Sequence, residues 1–223
     1  MLGVLPAVTK EGEMDFLLKR LVNKALKTLC VCRVSSEREK RVYLTFDDGP
    51  EPGITEFVLQ QLQLYNFRAT FFCCGARAEE YPELMEQLRA GGHVVANHSY
   101  SHIHSYRVET ATYVQDVERA ARCMQTSLFR PPWGGLTWDA WRTLRTKQRI
   151  VMWSLGSDDS SSTEDFDGAR ALRHLIEGTS KGEIVLFHFS LQHAPNTKAV
   201  LPGYLKWLSE NGWTAGVLTP ELR

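Results

Sequence analysis

The chain has 223 residues, of which 43% are hydrophobic and 23% charged, the composition of an ordinary globular protein long enough to bury a sizeable core. Its 26 basic and 26 acidic residues cancel, so no electrostatic footprint points to nucleic acid. No stretch reaches the roughly eighteen apolar residues that a membrane span needs, and five cysteines, with Cys30 and Cys32 close together and Cys73 beside Cys74, do not form a disulfide framework.

Residues 1–40 read as an N-terminal extension, and 41–223 as the main domain. Phe16, Leu17, Leu21, Val22, Ala25, Leu26 and Leu29 recur at helical spacing, with Lys19, Arg20, Lys24 and Lys27 between them. A signal peptide places its basic residues before an uninterrupted apolar run, so none is read here. A basic amphipathic helix over residues 14–30 has two outlets: packing on its own domain, or peripheral contact with a membrane surface. Ser35 to Arg41 is a charged linker.

From residue 42 the chain alternates. Strands are expected at 42–47, 69–74, 93–97, 127–130, 149–155, 183–189 and 214–218. Helices are expected at 54–65, 79–90, 109–125, 137–146, 165–177 and 197–210. Pro82 suits a first helical turn, Gly91-Gly92 follows a helix end, and Thr163 leads into Asp165 and Phe166. Short strands separated by helix-length segments mean βαβ units and a parallel sheet. Seven of them fit an α/β fold closed or nearly closed into a (β/α) barrel, with an open doubly wound sheet as the competing arrangement.

The chemistry gathers at strand ends. Val42-Tyr-Leu-Thr-Phe46 runs into Asp47-Asp48-Gly49-Pro50. Two adjacent carboxylates repel unless a cation or a proton is shared, so the pair asks for a metal or a base role; the plain alternative is a solvated turn. His98 and His102 follow the strand 93–97, four residues apart. With Asp48 they make a two-histidine, one-carboxylate set that suits catalytic zinc and equally non-haem iron(II). His93 and His104 lack such partners and read as packing or surface residues.

Thr45-Phe-Asp-Asp-Gly-Pro50, His98-x-x-x-His102, Arg130-Pro-Pro-Trp-Gly134 and Leu186-Phe-His188, in that order, together resemble the polysaccharide deacetylases, the NodB-like carbohydrate esterases of family four. The resemblance runs from about Val42 to the C-terminus. It implies a distorted (β/α)7 barrel and a metal-dependent hydrolase that removes N-acetyl, or O-acetyl, groups from a glycan containing N-acetylglucosamine. It implies one divalent ion on Asp48, His98 and His102, zinc foremost, with cobalt, nickel, manganese or iron as alternatives. Asp47 would be the general base, oriented by Arg130, and the backbone N–H near Trp133 would face the oxyanion. His188 would be the general acid, held protonated by Asp159 or, if the loop slips by one residue, Asp158. Trp133 and Leu186 would line the substrate groove, with Trp138, Trp153 and Tyr100 as further aromatic candidates.

The fourth family motif, commonly Asp-x-x-Asp-Trp, is degenerate here: Gly156 and Ser160 stand at its first and last positions, and Phe189 stands where some relatives carry an acid. A glycan-binding protein of the same fold without turnover, and an iron oxygenase with the same ligands, are the competing readings. The compartment stays open, since a polysaccharide substrate points to the cell envelope, while the odd cysteine count and the unread signal favour the cytoplasm or a membrane-associated site.

Overall fold

The computed structural model describes residues 29–222, so the amphipathic stretch 14–30 lies outside the described residues except for Leu29 and Cys30. Among the described residues no helix is long and apolar enough to cross a membrane.

The elements alternate as βαβ units. They are β1 (Arg41–Asp47), α1 (Ile54–Leu64), β2 (Thr70–Cys73), α2 (Gly75–Glu80), α3 (Pro82–Ala90), β3 (Val94–Asn97), α4 (Thr110–Met124), β4 (Leu128–Phe129), α5 (Trp138–Leu144), β5 (Arg149–Ile150), β6 (Leu155–Gly156), α6 (Gly168–Gly178), β7 (Ile184–His188), α7 (Ala194–Glu210) and β8 (Thr214–Gly216). The strands are parallel, in the order β5-β4-β3-β2-β1-β7-β6, with β8 paired to the first half of β1. β5 and β6 lie at opposite ends of this path yet only residues 151–154 separate them. A flat sheet would set them about 29 Å apart, at some 4.8 Å per strand. Five residue steps reach no more than about 17 Å. The sheet therefore curls into a half-barrel, in keeping with the distorted α/β barrel expected from the sequence.

Alternation along the strands sorts the side chains. Val42, Leu44, Phe46, Phe71, Cys73, Val95, Val185 and Phe187 face outward and form the main core against the helices. Tyr43, Phe72, Ala96, Leu128, Val151 and Ile184 face inward, with Val34 and Leu218, and fill the lower barrel. Above that plug the inward positions turn polar, and there the site is built.

The differences from expectation have local causes. The segment 149–155 forms two short strands, because its first part pairs with β4 and its last with β7, which lie on opposite sides of the seam. Val31 bridges Val151 across this seam, donating to Ile150 O and accepting from Met152 N. The helix expected at 79–90 is two helices. Tyr81 is non-helical (φ −126°, ψ 64°), as a residue before proline tends to be, and Pro82 opens α3. Asp167, not Thr163, caps α6, accepting from the N–H groups of Ala169 and Arg170. The strands expected at 127–130 and 214–218 are shorter than that, and α7 begins at Ala194, before residue 197.

Candidate metal centre and cleft

β1 delivers Asp47 pointing inward at its last residue, on the same face as Thr45. Asp48 follows with φ 86°, a left-handed conformation costly for a side-chain-bearing residue, and it sets both acids at the barrel mouth. His98 comes from the end of β3 and His102 from the loop beyond, where Ser99 and His102 also have positive φ. Asn97 braces this turn, accepting from Ser99 N at 2.8 Å.

The nitrogens of His98 and His102 converge on one carboxylate oxygen. Asp48 Oδ1 lies 3.3 Å from His98 Nε2 and 3.1 Å from His102 Nε2, and one ligand atom from each residue falls within 4.8 Å of the others. The Nδ1 of His98 is 2.9 Å from Arg130 O; with its proton donated there, Nε2 keeps a lone pair facing the cluster. Burial opposes ionisation of Asp48, but the nearby His102 and His98 rings and the charge of His188 outweigh it, holding the carboxyl well below its usual range. Two convergent imidazoles and an ionised carboxylate fit a divalent cation, and the donor set is borderline in softness, as zinc and its neighbours prefer.

Two ion pairs flank the cluster. Arg130 is wholly buried and gives Nη1 to Asp47 Oδ1 at 2.7 Å and to Thr45 Oγ1 at 2.8 Å; its Nη2 donates to Met152 O at 2.9 Å. Burial pulls the guanidinium down from its ordinary value and Asp47 opposes that. On the other side His188 Nδ1 meets Asp159 Oδ1 at 2.7 Å, and the His188 N–H donates to Asp159 Oδ2 at 2.8 Å. Asp159 is 1% exposed, whereas Asp158 faces solvent, so the inward acid of the pair is Asp159. Desolvation works against the charged His188 ring, but the hydrogen bond it donates to Asp159 and the carboxylates of Asp159, Asp48 and Asp47 raise its pKa to about 9.

Asp47, Asp48, His98, His102 and His188 line a cleft of about 1010 Å³, shared with Trp133, Leu186, Trp153 and Tyr100. Trp133 is 68% exposed, sits at φ 63° in the turn Pro132–Gly134, and lies 5.2 Å ring to ring from His102. Gly134 and Gly135 donate back to Pro131 and Pro132. Trp138 does not line the cleft; it stacks on Trp141 at 4.7 Å. Phe189 points outward into the core, edge-on to Phe71, and Ser160 is an exposed residue of the cleft wall. His93 packs on Phe71 and accepts from Ala69 N, as a packing residue does.

Some residues of the cleft were not legible in advance. His193 lies 4.8 Å from the His188 ring with Nε2 3.8 Å from Asp48 Oδ2, and its only sequence signal is its place after β7. Glu51 and Arg77 form a 2.9 Å ion pair in the wall, brought together from the loop after β1 and from α2. Thr45 had a usable signal: it stands two before Asp47 on the same strand face.

The profile described as Polysaccharide deacetylase matches residues 35–148. A peptidoglycan-N-acetylglucosamine deacetylase of Bacillus cereus is 29% identical over 192 residues, 83% of this chain and 89% of that protein. A chitooligosaccharide deacetylase of Azorhizobium caulinodans is 27% identical over 169 residues, 69% of this chain and 75% of that protein. The solved structure of a family 4 carbohydrate esterase from Streptomyces lividans in complex with acetate superposes with a TM-score of 0.72 at 29% identity, covering 82% of this chain and 95% of that one. Fold, cleft and matched sequence together make this chain a member of the polysaccharide deacetylase family, the NodB-like family 4 carbohydrate esterases, and by homology a carbohydrate deacetylase.

Proposed function

We propose that the protein hydrolyses the N-acetyl group of an N-acetylglucosamine-containing glycan, such as peptidoglycan or a chitooligosaccharide, with a divalent ion, zinc foremost, held by Asp48, His98 and His102. The observation that carries this is the convergence of those three side chains between two buried charge pairs, Asp47–Arg130 and Asp159–His188. The substrate class is supported by the Bacillus cereus and Azorhizobium caulinodans relatives. It is further supported by Arg77, a cation of the cleft wall already paired with Glu51 at 2.9 Å and Glu80 at 2.8 Å, which suits an uncharged sugar.

A bound divalent ion supplies Lewis acidity, making a water acidic enough to be deprotonated near neutral pH and polarising the acetamide carbonyl. Asp47, oriented by Arg130, takes the proton of the attacking water. The water oxygen forms the new bond to the acetyl carbon, and the backbone N–H of Trp133 stabilises the charge gathering on the carbonyl oxygen. His188 then gives its proton to the amide nitrogen as the C–N bond breaks, because an amine leaves poorly unless protonated. Acetate and a free amino sugar are the products. Leu186, buried on the inner face of β7, flanks the acetyl methyl, and the exposed face of Trp133 meets the sugar ring.

The test is to load the purified protein with zinc, supply N-acetylglucosamine oligomers, and measure acetate and primary amine together. Equal amounts of both are expected. Glycan binding with neither product would sink the proposal.

A further inference from the structure

Asp159 is held by more than its histidine. Its Oδ1 faces His188 Nδ1, and its Oδ2 accepts both the His188 N–H and, at 2.9 Å, the hydroxyl of Thr197. Thr197 is fully buried in the first turn of α7, with His193 O at 3.0 Å and His188 O at 3.1 Å as the other acceptors around its single proton. A carboxylate is the strongest acceptor of the three and also the nearest, so the proton goes to Asp159. Beside it Asn196 Nδ2 donates to Asp159 O at 3.0 Å and to Ser161 O at 2.9 Å, tying the same loop to the same helix.

This arrangement bears on the degenerate fourth motif. Gly156 supplies no side chain, and Ser160 is exposed, so neither residue fastens the Asp159 carboxylate. The fastening comes instead from α7, whose first turn follows the loop that leaves His188.

We propose that Thr197, seconded by Asn196, is a positioning residue for proton delivery by His188: it fixes the rotation of the Asp159 carboxylate so that Oδ1 stays in line with the ring. The proposal rests on the reading of His188 as general acid. Thr197 touches no reacting atom, and its effect passes through Asp159. Without the hydroxyl, Oδ2 keeps only the His188 N–H, the carboxylate is freer to turn, and a buried lone pair is left unsatisfied.

The experiment compares Thr197→Val, Thr197→Ser and His188→Ala with the wild type, all zinc-loaded, on tetra-N-acetylchitotetraose and on 4-nitrophenyl acetate. The aryl ester has a leaving group that needs no protonation, so its hydrolysis reports on metal, base and fold alone. Thr197→Val is expected to lower kcat on the amide about tenfold or more, the order of a hydrogen bond to a charged group, with KM and ester hydrolysis held. Thr197→Ser is expected to restore the amide rate. Should the valine variant not fold, Thr197→Ala carries the same comparison. Unchanged amide turnover in the valine or alanine variant, or a loss shared equally by the ester, would overturn the proposal. If His188→Ala itself keeps full amide activity, the general-acid reading falls and takes this one with it.

Discussion

Arg130 and Asp47 meet at 2.7 Å beneath the mouth of the barrel, with the arginine side chain wholly out of solvent. Thr45 and the carbonyl of Met152 take further guanidinium hydrogens, so the cation is satisfied by the barrel wall while one bond aims the acid. The pair fixes the Asp47 carboxylate at the end of β1.

Removing one partner leaves a buried charge unpaired, so Arg130→Leu should destabilise the fold by about 3–5 kcal/mol. The double variant Arg130→Leu with Asp47→Leu should recover much of that loss. Denaturant midpoints of the two singles and the double measure it. Additive losses would show that the two side chains are not coupled.

The acids of the Asp47-Asp48 pair should separate by readout. Asp47→Asn is expected to retain bound metal and lose about 10²–10⁴-fold in turnover, the range of a general base. His98→Ala should lose the metal with the activity. Metal content by elemental analysis beside acetate release distinguishes them, and Asp47→Asn with normal turnover would remove it from the base role. Chelation of the wild type should abolish acetate release, and added zinc should restore it.

The His188 pKa, raised to about 9, sets the direction of the pH response. A raised pKa keeps the ring protonated through neutral pH, so amide hydrolysis should fall as pH climbs through about 9. The same group stabilises the fold fully below about 6.5, its ordinary value, and that contribution disappears as pH rises through about 9. Asp159→Asn should draw the alkaline limb of the rate profile toward about 6.5. A limb that does not move would mean Asp159 is not what holds the proton.

Trp133→Ala tests the sugar platform apart from the oxyanion donor, since the variant keeps the backbone N–H. KM for a chito-oligomer should rise up to about tenfold, the order of one aromatic contact, with kcat nearly unchanged. Because the ring is mostly exposed, stability should change by no more than about 0.5 kcal/mol. A fall in kcat at constant KM would count against the platform.

The parts of this site legible in the sequence were those that local rules determine. Asp47, Asp48, His98 and His188 each close a β-branched or aromatic run, and the βαβ rhythm sends strand ends to one face of the fold. His193, Glu51 and Thr197 were not legible, because what matters about them is which distant loop they meet. Thr197 faces Asp159 from 38 positions away, and no periodicity encodes that. The broken strand at 149–155 escaped for the same reason: its residues favour extended backbone throughout, and only the incomplete closure of the sheet divides it.

That closure has a practical side. Val31 joins Ile150 and Met152, and Val34 N donates to Gly182 O, so a few residues ahead of the matched family segment 35–148 stitch the opening of the barrel shut. A shortened protein begun at residue 35 would keep every residue of the cleft and yet present the backbone of residues 150–152 to solvent, a ready template for another chain to add on. Expression trimmed to the conventional family boundary should therefore yield aggregates where a start ahead of Cys30 yields soluble monomer or oligomer.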